Sequence, residues 1–330
     1  MKTTPKWALH LFCFHPTTSG SPTGLQGDSH PFHQTRQLVQ AQVTLRMLVL
    51  DIWDELQVLK KELRCCFPES LKVYGAILNI CQENPFHQEV LVDSWPSFRV
   101  VIARPQREKT PSETSYFARS CAVFYRELGA YQQLVKDTDA IDWSQEFLLQ
   151  GLQDGVHQVS RSLAAVKYFS AKLVTQTQVF VLQKPLNLSA SVSVLGSEVK
   201  FSSLNLTHIT LLNDTWSVGG SEQSLQYLTQ LISSFPSSCL LDARGCPISW
   251  VLLDQFGCLT HAYTMPAHRG KGYIQLVIAA LAQELEKMDY PVYGDILENN
   301  TPMKKALQRL GAHFTSCFLF YDLHTPLVLQ

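Results

Sequence analysis

From Met47 onward the hydrophobic positions alternate between two periods. Over Met47–Leu63 the apolar residues Leu48, Ile52, Leu56 and Leu59 share one face, which predicts a helix. Tyr74–Asn79, Glu89–Asp93 and Arg99–Ala103 are short apolar runs broken by Asn, Pro and Ser, and they predict strands. Tyr116–Val135 and Gln158–Phe169 return to helical spacing, and Gln178–Gln183 predicts a further strand. Pro185–Gly196 is apolar without steady period and predicts a linker. A second series begins near Val199. Val199–Leu204 predicts a strand, and Ile209–Trp216 and Ser221–Ser233 predict helices interrupted by Gly219-Gly220. Cys239–Leu241 and Ile248–Leu253 predict a hairpin around Ala243-Arg-Gly-Cys246. Phe256–Thr264 predicts the strand that leads into Arg269-Gly-Lys-Gly272.

Beyond that turn Tyr273, Leu276, Val277, Ala280, Leu281, Leu285 and Met288 fall on one face of a helix. Pro291–Leu297 predicts a strand and Glu298-Asn-Asn-Thr-Pro302 a break. Thr301 is placed to cap the next helix, with Pro302 at its first position and Gly311 beyond its end. Phe314–Tyr321 predicts a closing strand. The Arg269–Gly272 turn thus stands at a helix start, where unpaired N–H groups and a partial positive charge favour an anion. Gly270 and Gly272 allow close backbone approach, and Arg269 and Lys271 add charge. A pyrophosphate suits such a site; a solvated basic helix start explains the same residues without a ligand. Neither a P-loop nor a dinucleotide fingerprint is present.

Composition narrows the class. The chain has 330 residues, enough for two ordinary domains, and its hydrophobic content of 45% suits a globular protein. Lys plus Arg number 27 and Asp plus Glu 28, which argues against a dedicated nucleic-acid binder. The nine cysteines form no C-x-x-C pair, which points to free thiols rather than zinc or a disulfide framework. No apolar run reaches membrane-spanning length. The N-x-[ST] matches at Asn187, Asn205, Asn213 and Asn299 read as chance. Residues 1–46 hold Asp28 as their single acid, with scattered Ser, Thr, Pro and His, and predict a disordered leader. A transit segment is the alternative reading of those residues.

The order strand, Gly-rich turn, helix, strand, Asn-rich cap, helix, strand resembles the GCN5-related N-acetyltransferase fold. That superfamily carries [RQ]-x-x-G-x-[GA] at this turn. Arg269-Gly-Lys-Gly272 fills the first four positions, whereas the sixth is Ile274. A wider resemblance, to the glycine N-acyltransferase family, runs through Ser70-Leu-Lys-Val-Tyr-Gly75, Asn84-Pro-Phe86, Val92-Asp-Ser-Trp-Pro-Ser-Phe98 and Trp216-Ser-Val-Gly-Gly-Ser-Glu222. It continues in Pro247-Ile-Ser-Trp250, Asp254-Gln255 and Tyr263-Thr-Met-Pro266. The resemblance implies an α/β (α+β) chain. Residues 47–196 form an N-terminal domain, left open as a degenerate copy, and residues 197–330 form an acyl-CoA-binding domain. It implies acyl transfer from acyl-CoA to the amino group of glycine or another amino acid. The co-substrate is acyl-CoA, with no tightly bound cofactor, and the protein is expected to be a monomer. Mitochondrial residence follows by resemblance, with the cytoplasm as the alternative.

It further implies that the backbone of Gly270, Lys271, Gly272, Tyr273 and Ile274 holds the pyrophosphate, with Arg269 adding charge. Tyr263, Thr264 and Met265 pair with the pantetheine arm, and Asn299 and Asn300 contact coenzyme A, with plain turn formation before the capped helix as the alternative role. The family's Glu base falls on Cys258, and the superfamily's Tyr acid on Leu307. Candidate replacements for the base are His261 and Cys258. In a regular strand His261 points away from the Cys258 side, and a bulge would change that parity. Trp216 and Gly219-Gly220 are candidates to shape the pocket, with core packing as the plainer role. An acyl-CoA-binding pseudoenzyme or regulatory protein is the alternative function, and a protein-lysine acyltransferase a third.

Overall fold

The computed structural model describes residues 47–110, 114–183 and 198–327. The leader 1–46 and the linker expected at Pro185–Gly196 lie outside them. The first half of the described chain runs β1 (Leu48–Leu50), α1 (Trp53–Arg64), α2 (Leu71–Ile80), β2 (Gln88–Val92), β3 (Val100–Pro105), β4 (Cys121–Tyr125), α3 (Leu128–Asp137), β5 (Phe147–Gly151), α4 (Asp154–Val166) and β6 (Phe169–Leu182). The second half runs β7 (Lys200–Ser202), α5 (Ile209–Thr215), α6 (Glu222–Ser234), β8 (Ser237–Leu241), β9 (Pro247–Leu253), β10 (Leu259–Thr264), α7 (Tyr273–Lys287), β11 (Val292–Ile296), α8 (Thr301–Arg309) and β12 (Ala312–Pro326). The two halves repeat one order of elements. The fold is α/β, as expected.

All strands join one sheet in the order β1-β2-β3-β4-β5-β12-β6-β11-β10-β9-β8-β7. The last strands of the halves are exchanged: β6 pairs antiparallel with β11, and β12 with β5. β6 and β12 also pair with each other from Phe169–Pro326 to Leu182–Ala312. The parallel pairs β4–β5 and β10–β11 occupy equivalent places in the two halves. One core packs α1, α2 and α7 on the sheet through Leu59, Leu63, Ile77, Val277 and Leu281. On the other side Leu212, Leu228 and Leu231 of α5 and α6 pack with Trp250 and Phe117.

Three expectations from the sequence need correction, and one strand had no counterpart among them. Leu48–Leu50 is an edge strand, and the helix begins only at Trp53. Tyr74–Asn79 is helix rather than strand. Every residue from Leu71 to Asn79 is buried, so the run carries no periodicity by which to tell the two apart. Cys121–Tyr125, expected as helix, is the parallel strand β4. Its five residues are too short and too uniformly apolar to show a period. Phe147–Gly151, an interior strand, was not predicted for the same reason. A smaller shift concerns α8, whose cap is Asn300 rather than Thr301, its Oδ1 accepting the Met303 N–H at 3.3 Å.

The helix α2 sits against the turn 254–258 with no room to spare. A Cβ on Gly75 would lie 1.6 Å from the Phe256 carbonyl oxygen. Only glycine permits that approach, and it brings the Lys72 ammonium within 3.0 Å of Asp254 Oδ2. Asn79 Nδ2 donates to Gln255 O at 2.8 Å, and Gln255 Nε2 donates to Phe117 O at 2.9 Å. The Asp254-Gln255 pair therefore latches the first half to the second.

Candidate active site

The strand β10 is irregular by construction. Its pairing with β9 shifts register between Thr260 and Tyr263, and His261 has φ 48° in the left-handed region. This is a bulge: the extra residue bends β10 and breaks its alternation. β10 then meets β11 at the single position Leu259–Gly294, so the two parallel strands diverge toward their C-terminal ends. The divergence leaves one edge of β10 unpaired beyond Leu259. A cavity of about 470 Å³ opens there.

His261 lies on the cavity wall, and neither ring nitrogen has a hydrogen-bond partner among the described residues. Its ring packs 5.6 Å from Trp216 and 6.0 Å from Trp250. Burial pushes its pKa down to about 3, so the imidazole is neutral. Trp216 also lies tilted against Phe117, ring centres 4.9 Å apart, giving the cavity an aromatic wall shared by both halves. Gly219 permits the tight return after Trp216, since a Cβ would fall 2.2 Å from Asn213 O.

Cys258 is placed differently. Its side chain is buried and is not among those lining the cavity. Burial pushes the thiol well above its ordinary pKa, only partly opposed by Lys72. It therefore stands as a thiol, donating to Asp295 Oδ2 at 3.6 Å. Asp295, on β11, lines the cavity and also accepts from the Tyr321 hydroxyl at 3.0 Å. Behind them Asp254 accepts the Phe256 and Cys258 N–H groups at 2.8 and 2.9 Å and pairs with Lys72. Burial alone would lower the Lys72 pKa, but the Asp254 carboxylate beside it holds the ammonium above its ordinary value.

At the end of β10 the chain turns. Tyr263 and Thr264 pair with Trp250 and Ser249, and the Met265 N–H donates to Ile248 O at 2.9 Å. Arg269 Nε donates to Thr264 O at 3.0 Å while its guanidinium lies 5.4 Å from the Tyr263 ring centre. Gly270 and Gly272 both take positive φ, 78° and 77°, and Gly272 is the N-cap of α7. Tyr273 and Ile274 follow as the first two helical residues, whose N–H groups precede the intrahelical ladder. Lys271 Nζ lies 5.9 Å from the Tyr273 ring centre. Tyr263 joins this turn to the cavity, which extends to Asn300 and the buried Leu307 on the opposite side.

The equivalent place in the first half has none of this. β4 and β5 stay paired from Cys121–Leu149 to Val123–Gly151. The link into α3 has no glycine, and its cap is Glu127. Arg126 is bound to Glu62 at 2.9 Å and lies over Phe98. One half is closed and the other open, so the chain offers a single gap of this kind among the described residues.

The described residues contain no helix long and apolar enough to cross a membrane and no His/Cys/Asp/Glu cluster suited to a metal. The described cysteines are all free thiols.

Comparison with known proteins matches residues 47–236 to the model of the aralkyl acyl-CoA:amino acid N-acyltransferases, and residues 238–320 to the C-terminal region of the same family. The chain belongs to this family. It is 32% identical over 270 residues to glycine N-phenylacetyltransferase of Bos taurus, covering 77% of this chain and 91% of that one. With glycine N-acyltransferase of Homo sapiens it shares 31% identity over 273 residues, 78% of this chain and 92% of the other. An X-ray structure of a Drosophila protein superposes with a TM-score of 0.66 at 17% identity, covering 86% of this chain and 99% of that one. The second half keeps the expected order of strand, glycine turn, helix, strand, capped helix and strand, with the bulged β10 diverging from β11 and the glycine turn leading into α7.

Sequence reasoning singled out His261, Cys258 and the turn. It missed Asp295, Tyr321 and Lys72. Asp295 carried a usable signal, being the lone charge inside the apolar strand Val292–Ile296.

Proposed function

We propose that this chain transfers an acyl group from acyl-CoA to the amino group of glycine or another small amino acid, giving the N-acyl amino acid and coenzyme A. The observation that carries the reading is the gap where β10 leaves β11, with an unpaired strand edge on one side and a cavity beneath it. A pantetheine arm can pair with that edge along Tyr263–Met265. Its pyrophosphate then meets the free N–H groups of Gly270–Ile274, with Arg269 and Lys271 adjacent. This puts the thioester at the bulge. A backbone N–H there can take the oxyanion as the tetrahedral intermediate forms.

The amine must lose a proton before it can attack, and the thioester carbon then gains a C–N bond and loses its C–S bond. The departing thiolate is a fair leaving group, since a thiol has a pKa of about 8.5, so the absence of a phenol at Leu307 is tolerable. The aromatic wall of Phe117 and Trp216 suits an apolar acyl chain or ring. Purified protein supplied with a panel of acyl-CoAs and glycine is expected to release thiol and N-acylglycine in equal amounts, read by a thiol reagent and mass spectrometry. Intact acyl-CoA binding without either product would sink the reading. It would leave a second one, an acyl-CoA-binding protein without turnover, which the protonated Cys258 at the family's base position favours.

A further inference from the structure

We propose that Asp295, on β11, is the group that takes the proton from the acceptor amine, replacing from the neighbouring strand the carboxylate that Cys258 does not provide. The proposal rests on the acyl-transfer reading above. Its first support is position. The Cys258 sulfur and Asp295 Oδ2 are 3.6 Å apart, so a carboxylate already occupies the space into which a longer acidic side chain at 258 would project. Asp295 lines the cavity at the strand gap, where Cys258 does not.

Its second support is how the carboxylate is held. Oδ2 accepts from the Tyr321 hydroxyl and the Cys258 thiol, which fix the group from behind. Oδ1 receives no donor among the described residues, although the side chain faces a cavity. The third support is charge. Lys72 contributes one positive charge, and Asp254 and Asp295 one negative charge each. Cys258 and Tyr321 stay neutral, because burial pushes both well above their ordinary pKa. The cluster therefore presents one net negative charge to the cavity, which favours an ammonium. His261 faces the same cavity but resists protonation, with its pKa near 3. It suits hydrogen bonding to substrate better than proton uptake.

An ammonium proton passes to Asp295 Oδ1, and the freed lone pair forms the C–N bond to the thioester carbon. The C–S bond breaks, one remaining N–H proton is transferred to the thiolate, and one stays on the amide. Asp295 returns its proton to water through the cavity before the next cycle.

The test uses the full chain with acyl-CoA and glycine. Asp295→Asn is expected to lower kcat by about 10²–10⁴-fold while acyl-CoA affinity and thermal midpoint stay near wild type. The residual rate should climb with pH as free amine accumulates. The double variant Asp295→Ala, Cys258→Glu, in which the smaller residue vacates that space, should be at least about tenfold faster than Asp295→Ala by returning a carboxylate from the adjacent strand. An active wild type whose Asp295→Asn form keeps kcat within about threefold overturns the assignment alone. A wild type that binds acyl-CoA and never turns over overturns the acyl-transfer reading and this assignment with it. Loss of activity together with acyl-CoA binding, with no recovery in the double variant, identifies Asp295 as a structural residue and also overturns it.

Discussion

The Cys258 thiol donates toward the Asp295 carboxylate, sulfur to oxygen 3.6 Å, from a position behind the cavity wall. Cys258 is thus a protonated thiol that donates to a carboxylate. A buried thiol with a raised pKa reacts slowly with alkylating agents. Brief iodoacetamide treatment at neutral pH should therefore modify the exposed Cys65 and Cys246 and leave Cys258 unmodified, as read by peptide mass spectrometry. Early labelling of Cys258 would contradict its placement.

The buried pair Lys72–Asp254 joins the two halves, with both side chains nearly inaccessible. Removing one partner strands the other's charge, which costs about 3–5 kcal/mol. Lys72→Met should lower stability by that order in denaturant unfolding, whereas Lys72→Met combined with Asp254→Asn should lose less than the sum of the single changes. Additive losses would show that the two groups do not act as a pair.

Gly272 caps α7 at φ 77°, where a Cβ is strained and would also lie 3.3 Å from Gln275 Oε1. Gly272→Ala should cost about 1 kcal/mol of stability. By tilting the first N–H groups of α7 it should also raise KM for acyl-CoA and leave KM for glycine near wild type. Acyl-CoA kinetics with the two substrates varied separately check this. An unchanged acyl-CoA KM would remove the turn from the binding site.

His261 gives the protein an acid-sensitive component. Burial holds its folded pKa near 3, below the ordinary value of 6.5, so the unfolded chain binds a proton that the folded chain does not. The associated stability is present above pH 6.5 and is lost as pH falls toward 3, by about 2 kcal/mol between pH 7 and 5. His324, lowered to about 4 chiefly by burial, adds to the same trend. Urea unfolding at the two pH values should show a smaller drop for His261→Phe than for wild type. Equal drops would mean that the ring is solvated in the folded state.

The sequence alone determined the second half closely. The helix α7 has a clear amphipathic period, Gly270 and Gly272 mark its start, and Asn300-Thr-Pro302 marks the start of α8, all local signals that tertiary contacts did not overturn. The irregularity of β10 was foreseen only as a condition, because a bulge depends on the partner strand and not on residues 259–264. Buried segments were illegible: α2 is buried on every face and β4 nearly so, so their period vanishes. Tertiary structure alone decided that β6 and β12 exchange places. It decided that Gly75 brings Lys72 to Asp254, and that Asp295 and Tyr321 meet at Cys258. Those contacts join residues 26 to 182 positions apart in the chain, and pairing over such distances is set by how the sheet closes, which no local pattern encodes.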